Sequence, residues 1–191
     1  MKIVLATTSR YRIEIMKLTG IAFDSKASDV EEKFEGRPDD PEELVKQLSK
    51  LKAEAVAKEC SDSIVIGFDS ISFLNGKVLE KPKSYEEAFE RLKEISGGHH
   101  DHYTGITLIN TKTKQVFQRV VKSRIYLREI SDEEIKRYLE EDPGYKTHAY
   151  GYEAISKLSS TFIKRVEGDF YSFARGMPIA TVIEMIMEAE K

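Results

Sequence analysis

The chain has 191 residues, 40% hydrophobic and 33% charged, with a formal net charge of −3 at pH 7. That length suits one sizeable α/β domain or two tightly fused lobes. The charge balance leaves no global basic field to hold duplex DNA or an anionic membrane, so an anionic ligand has to be captured by a local group of lysines and arginines.

The first apolar run, Ile3 to Ala6, reads as a strand that ends in the capping cluster Thr7-Thr8-Ser9. It is too short for a signal peptide or a membrane span, which gives the expectation of a cytoplasmic protein. A helix follows over Arg12 to Leu18, closed by Gly20. The loop between them offers hydroxyls, backbone N–H groups and arginine at a helix N-terminus, where an anion binds well. Ser28 to Asp40 is acidic and irregular, and Pro41-Glu42-Glu43 opens a second helix whose apolar face reads as Leu44, Leu48, Leu51 and Ala55. Cys60, the one cysteine, reads as a small hydrophobe near the end of that helix.

Ile64 to Gly67 is a buried-strand run, and a second apolar set at Ile71, Phe73 and Leu74 runs into the hairpin turn Asn75-Gly76. Lys81-Pro82 leads to a helix from Tyr85 to Ile95, ended by Gly97-Gly98. Tyr103 to Ile109 and Gln115 to Leu127 read as antiparallel strands joined by a polar turn. Ser131 with Glu134 forms a capping box before a helix through Leu139, and Asp142-Pro143-Gly144 breaks it. Thr161 to Val166 is a further strand and Pro178 to Met187 an amphipathic helix. The order predicts a single-core α/β (mixed α+β) protein, an elongated mixed sheet with two lobes, treated as one domain over 1–191.

Asp69 interrupts this pattern. A carboxylate between two apolar strands costs several kcal/mol to bury without partners, so it has to hold something. Strand ends are also where α/β proteins place their sites. Acids at Asp29, Glu31 and Glu32 and lysines at Lys50, Lys52 and Lys81 are the candidate company. Lys52 flanks the apolar face of its helix rather than opposing it, and Lys81 is fixed near an extended conformation by Pro82. Lysines beside a carboxylate suit a triphosphate with a divalent cation, since magnesium takes one or two carboxylates and completes its octahedron with phosphate oxygens and water. The trio His99, His100 and His102 has the residue types of a zinc site. It follows two glycines in a loop, however, with only His148 as a distant fourth partner. Glycine spacing excludes the Walker loop and the dinucleotide fingerprint.

The segments "LATTSRYRIEIM", "SDVEE", "LSKLKAEAVA", "VIGFDS", "NGKVLEKPKSYEEA", "SGGHHDHYTGITL", "ISDEEIKRYL", "AYGYEA", "FIKRVEGDFYS" and "GMPI", in that order over nearly the whole chain, resemble the Maf family of nucleoside triphosphate pyrophosphatases. The resemblance implies a long mixed sheet with a nucleotide cleft between two lobes, and hydrolysis of a nucleoside triphosphate to monophosphate and diphosphate. It also implies a divalent metal (Mg2+ or Mn2+) and a homodimer; the charge balance separately gives the expectation of no stable binding to nucleic acid or membrane. Carried over position by position, Asp69 matches the proton acceptor and a metal ligand, and Glu31 a second metal ligand. Ser9, Arg12, Lys52 and Lys81 match groups that face the phosphates. The specificity positions, arginine, threonine and glutamine in the pyrimidine-cleaving branch, fall here on Tyr11, Ser70 and Glu153.

Tyr11 and Glu153 turn the expectation toward guanine. An aromatic ring stacks on a base, most favourably on a cationic one. An ionised carboxylate accepts from the N1–H and N2–H2 donors of guanine. An aromatic residue and a glutamate at these positions also resemble the Maf branch that hydrolyses 7-methyl-GTP, so the resemblance implies that substrate, with a pyrimidine triphosphate (dTTP, UTP or CTP) as the alternative. Two rivals stand beside these readings: the related enzymes that remove inosine and xanthosine triphosphates, and a non-catalytic nucleotide-binding regulator of cell division.

Overall fold

Alternation along one strand organises the first half of the molecule. In the computed structural model, which describes residues 1–32 and 35–191, strand β3 runs unbroken over Ser63–Leu74. Asp69 therefore lies inside one strand rather than between two. Ile64, Ile66 and Phe68 point to one face and join Ile3, Leu5, Ile15, Met16, Ile106, Met177 and Met185 in a dry cluster. Val65 points the other way and packs with Val4, Ala6 and Val56. By the period of two, Gly67 and Asp69 share the side of Val65.

Strand β1, Lys2–Ala6, lies parallel to β3, with Val4 opposite Val65 and Ala6 opposite Gly67. The two-residue strand β2, Asp24–Ser25, pairs with the outer side of β1. Helix α1, Arg10–Lys17, begins two residues earlier than its sequence pattern indicated. Helix α2 spans Pro41–Ala57, started by Asp40, whose side chain accepts from Glu43 N–H at 2.9 Å, and by proline in its first turn. Strand β4, Lys77–Leu79, closes the expected hairpin antiparallel to β3, with Leu74 opposite Lys77 around Asn75-Gly76.

Helix α3, Tyr85–Ile95, is followed by β5, His99–Asn110, and β6, Val116–Leu127. The histidines expected in a loop are thus strand residues. Helix α4, Asp132–Glu141, carries the expected capping box. Two 3-10 turns, Pro143–Thr147 and Leu158–Phe162, precede β7, Ile163–Glu167, which pairs antiparallel to β6. Helices α5, Phe170–Arg175, and α6, Ile179–Ala189, end the chain. The result is a mixed α/β fold: a seven-stranded sheet in the order β2-β1-β3-β5-β6-β7, with β4 beside β3, and helices around it. Among the described residues no helix is long and apolar enough to cross a membrane.

The chain divides into two compact units: 1–70 with 103–121 and 175–191, and 71–102 with 122–174. The first holds the core around β3. The second is centred on Leu92, Ile95, Ile125, Leu127, Ile135, Tyr138 and Phe162, from α3, α4 and β6.

In the first unit, α2 lies directly on the sheet because two glycines admit it. A Cβ on Gly67 would stand 2.6 Å from the Ala53 nitrogen and overlap the Ser49 carbonyl; one on Gly105 would overlap the Val45 carbonyl. The expected outcome for Gly67→Ala is a loss of at least about 1–3 kcal/mol, the usual range for overpacking, because the blocking atoms are backbone and cannot rotate away. Urea unfolding followed by circular dichroism measures it.

Candidate active site

The close approach of α2 decides where its lysine goes. The sequence pattern puts Leu51 and Ala55 on the buried face, with Lys52 at its border. In the structure the buried face is Leu44, Val45, Leu48, Ser49, Ala53 and Val56, and Leu51 is 37% exposed. Val45, Ser49, Lys52 and Val56 then form one i, i+4, i+7, i+11 stripe against the sheet. The pattern misses this because the glycines beneath let the small side of the helix face inward. Ser49 meets Thr107 Oγ1 at 2.9 Å, which satisfies both buried hydroxyls.

Lys52 therefore extends along the sheet with only 13% of its side chain exposed, and its Nζ donates to Asp69 Oδ1 at 2.6 Å. A second carboxylate, Glu32 Oε1, lies 2.7 Å from the same nitrogen. The resemblance assigned Glu31 to a metal; Glu31 and Glu32 are both exposed, and it is Glu32 that meets the lysine. Neighbouring glutamates in an irregular loop carry no periodic signal that distinguishes them. Asp69 itself is 5% exposed, and burial raises its pKa above the ordinary carboxylate value despite the opposing charges of Lys52 and Arg12. Its second oxygen, Oδ2, is buried and accepts no hydrogen bond among the described residues. An acceptor left open in this way is suited to take a proton or a cation.

Arg12, on the first turns of α1, ties this strand to its surroundings. It donates to the Gly176 carbonyl at 2.9 Å, to Ser70 Oγ at 3.0 Å and to Thr7 Oγ1 at 3.4 Å, with its guanidinium 5.4 Å from the Phe68 ring centre. Ser70 Oγ also meets Thr104 Oγ1 at 3.0 Å. Gly176 sits at φ +67°, and a Cβ there would press on Arg12 and Ser70 at 3.3–3.4 Å. Ser9 is the N-cap of α1, its N–H donating to Thr7 Oγ1 at 3.2 Å and its side chain making no capping bond. The Tyr11 hydroxyl accepts from Arg10 at 2.9 Å, and the guanidiniums of Arg10 and Arg175 lie 4.7 and 5.2 Å from its ring centre.

Ser9, Tyr11, Arg12, Lys52, Asp69 and Ser70 all belong to the first unit. Lys81 and Glu153 belong to the second. Lys81 is exposed on the segment after β4. Glu153 is 6% exposed, and its Oε2 accepts from the N–H groups of Ile155 (2.8 Å) and Ser156 (2.5 Å) and from the Ser156 hydroxyl (3.1 Å). The carboxylate expected to read guanine is engaged by its own loop.

The histidine reading resolves differently. His100 and His102 are buried in a ring cluster with Tyr150, Tyr152 and Phe173. His100 bonds the Tyr152 hydroxyl at 2.7 Å, and burial holds its pKa well below the ordinary histidine value. Among the described residues no group of three or more His, Cys, Asp or Glu is arranged to hold a metal. Asp69 and Glu32, both on the Lys52 ammonium, are the two carboxylates here that could hold a magnesium ion, whose other ligands would be substrate phosphate oxygens and water.

Residues 2–189 match the family described as Maf-like protein. A dTTP/UTP pyrophosphatase of Caldicellulosiruptor saccharolyticus is 38% identical over 98% of this chain and 94% of its own. The dTTP/UTP pyrophosphatase of Thermotoga maritima is 38% identical over 98% of this chain and 89% of its own. Among solved structures, the Ham1 protein of Staphylococcus aureus aligns over 69% of this chain and 73% of its own, with 21% identity and a TM-score of 0.43.

Lys52→Met keeps the length of the side chain but strands the Asp69 carboxylate. The expected loss is about 3 kcal/mol at neutral pH, in the range for breaking a buried pair. The folded pKa of Asp69 already lies above its unfolded value, and removing Lys52 raises it further. The penalty is therefore full above that folded pKa and fades as pH falls toward the unfolded carboxylate value. Unfolding curves of wild type and variant at several pH values should converge in acid.

Proposed function

The chain belongs to the Maf family, and we propose that it is a nucleoside triphosphate pyrophosphatase acting on pyrimidine nucleotides, dTTP and UTP foremost. The observation that carries the reading is the buried Asp69 carboxylate, held on one oxygen by Lys52 and open on the other. A general base needs this combination of fixed direction, raised proton affinity and a bare acceptor. A pure nucleotide binder has no use for it.

In the proposed reaction water attacks the α-phosphorus and passes its proton to Asp69 Oδ2. The new P–O bond forms as the bond to the β-phosphate oxygen breaks, releasing nucleoside monophosphate and diphosphate. Lys52 keeps the carboxylate aimed and balances its charge. Arg12 is a positioning residue here, since its donors are committed to Gly176, Ser70 and Thr7 while its charge still acts on the site. Ser9 and the first N–H groups of α1 are assigned to phosphate oxygens, and Lys81 is assigned to them on the resemblance. A divalent cation held by substrate phosphate oxygens and by Glu32 would neutralise developing charge on the phosphates and leave Asp69 Oδ2 to the proton.

The pyrimidine assignment rests on two supports. The relatives at 38% identity are named dTTP/UTP pyrophosphatases. Glu153, the group that favoured guanine, is bound to its own loop. A panel of nucleotides read by diphosphate release tests the choice. kcat/KM for dTTP or UTP is expected to exceed that for 7-methyl-GTP by at least about tenfold, a 1.4 kcal/mol difference. The reverse order would return the substrate to the guanine side.

Asp69→Asn is expected to fold and to lose two to four powers of ten in diphosphate release, roughly the worth of general-base catalysis. In the unmodified protein the base works deprotonated, so activity falls as pH drops through the pKa of Asp69. Because burial raises that pKa, the acid limb should lie above the ordinary carboxylate range. A pH–rate profile without such a limb would remove Asp69 from proton transfer.

A further inference from the structure

Helix α3 holds the segment that carries Lys81 at two points. Arg91 donates through Nη1 to the carbonyls of Glu80 and Ala149, and through Nη2 to Glu87 Oε1 at 2.7 Å. The other oxygen of Glu87 accepts from the Lys83 N–H at 2.8 Å. Only 11% of the Arg91 side chain is exposed, so solvent does not weaken these bonds as it weakens a surface ion pair. Between the held carbonyl of Glu80 and the held N–H of Lys83 stand Lys81 and Pro82. The Pro82 ring is buried, has no N–H to satisfy, and restricts Lys81 to extended backbone. Lys81 is exposed on this fixed stretch and, among the described residues, makes no ion pair.

A lysine that only solvates the surface gains nothing from a fixed backbone, because its flexible stem reaches water from any loop. A lysine that meets a phosphate oxygen does gain, since ordering the loop beforehand removes part of the entropy lost on binding. We propose that Arg91, with Glu87, is a positioning residue that holds Lys81 for the phosphate chain of the substrate. This rests on the pyrophosphatase reading, in which Lys81 is assigned to phosphate oxygens. Glu87 and Arg91 differ from an ordinary i, i+4 helix pair in that each also bonds the backbone beside Lys81. Arginine suits the task, because a planar fork keeps two carbonyls and a carboxylate in fixed directions at once. The Ala149 carbonyl is held at one point, whereas the Lys81 segment is held on both sides. The effect of Arg91 therefore falls on the phosphates rather than on Tyr150 to Glu153.

The test is a double-mutant cycle of Lys81→Met and Arg91→Met in the whole chain, with inorganic triphosphate, which has no base, as the probe. Its dissociation constant is measured by titration calorimetry, beside kcat and KM for dTTP and GTP. Lys81→Met is expected to weaken the probe about tenfold, the worth of a charge-assisted contact. Arg91→Met should weaken it by a smaller factor, and the double variant by no more than Lys81→Met alone. Arg91→Lys keeps the charge without the fork and should fall between wild type and Arg91→Met. KM for dTTP and GTP should rise by a common factor in each. If Arg91→Met does not fold, Glu87→Gln, which removes one of the two carboxylate acceptors at constant shape, takes its place in the cycle. Losses that multiply in the double variant overturn the proposal, because Arg91 then acts independently of Lys81. Unchanged probe affinity in either single variant also overturns it, while the assigned reaction survives if the unmodified protein hydrolyses dTTP. A shifted ratio of dTTP to GTP with the probe bound as in wild type overturns it too, by moving the action of Arg91 to Tyr150 to Glu153. If the coupling is found but the unmodified protein hydrolyses no nucleotide, the positioning role stands and the assigned reaction falls.

Discussion

The ion pair between Lys52 and Asp69 is possible only because a helix touches a sheet at backbone distance. Lysine is among the residues least often buried, and a carboxylate inside a strand is costlier still. Here each charge offsets part of the other's cost as its partner at 2.6 Å, while for Asp69 burial still outweighs that attraction. Gly67 and Gly105 remove the side chains that would hold α2 away. Remove either glycine and the helix lifts, the lysine falls short, and an isolated carboxylate is left in a dry strand. The catalytic electrostatics of the proposed reaction thus depend on two positions that carry no chemistry at all.

Arg12 performs the same service for the loop before α1. One side chain satisfies the Gly176 carbonyl and two hydroxyls, and so joins the end of β1, the middle of β3 and the turn after α5. A point charge on a flexible stem cannot hold three acceptors in fixed directions, whereas a planar fork can. The network continues through Ser70 to Thr104 on β5, so the hydroxyl of Ser70, next to Asp69 in the strand, is committed on both sides. That order keeps the remaining open acceptor, Asp69 Oδ2, the obvious destination for a proton.

The second unit shows how polar residue types become structural when they are buried. His100 is stacked on Tyr150 and bonded to Tyr152, and in that setting its charged form is disfavoured. Asp101, one residue on and on the other face of β5, takes the opposite course. Arg124 at 2.7 Å and Lys122 at 3.0 Å hold it ionised, with a pKa lowered to about 2. Alternation along a single strand therefore separates a neutral imidazole layer from an ion-paired one.

Most of the helices and strands, the Asn75-Gly76 hairpin, the Ser131–Glu134 capping box and the placement of a carboxylate, Asp69, in an apolar run were legible in the sequence. Each follows from a local rule of period, turn or cap, or from the cost of placing a charge in an apolar run. The guanine preference was read from residue types at Tyr11 and Glu153, and it failed to anticipate that Glu153 would be held by Ile155 and Ser156 two and three residues on. Other features had no local signal. Which glutamate meets Lys52, which face α2 buries, whether the histidines lie in a loop or a strand, and that Arg175 comes to Tyr11 were decided only by the tertiary structure. In each case the deciding contact joins residues far apart in the chain or depends on a glycine's missing side chain. Sequence periodicity describes which residues want to be buried; it does not describe how near the burying surface is allowed to come.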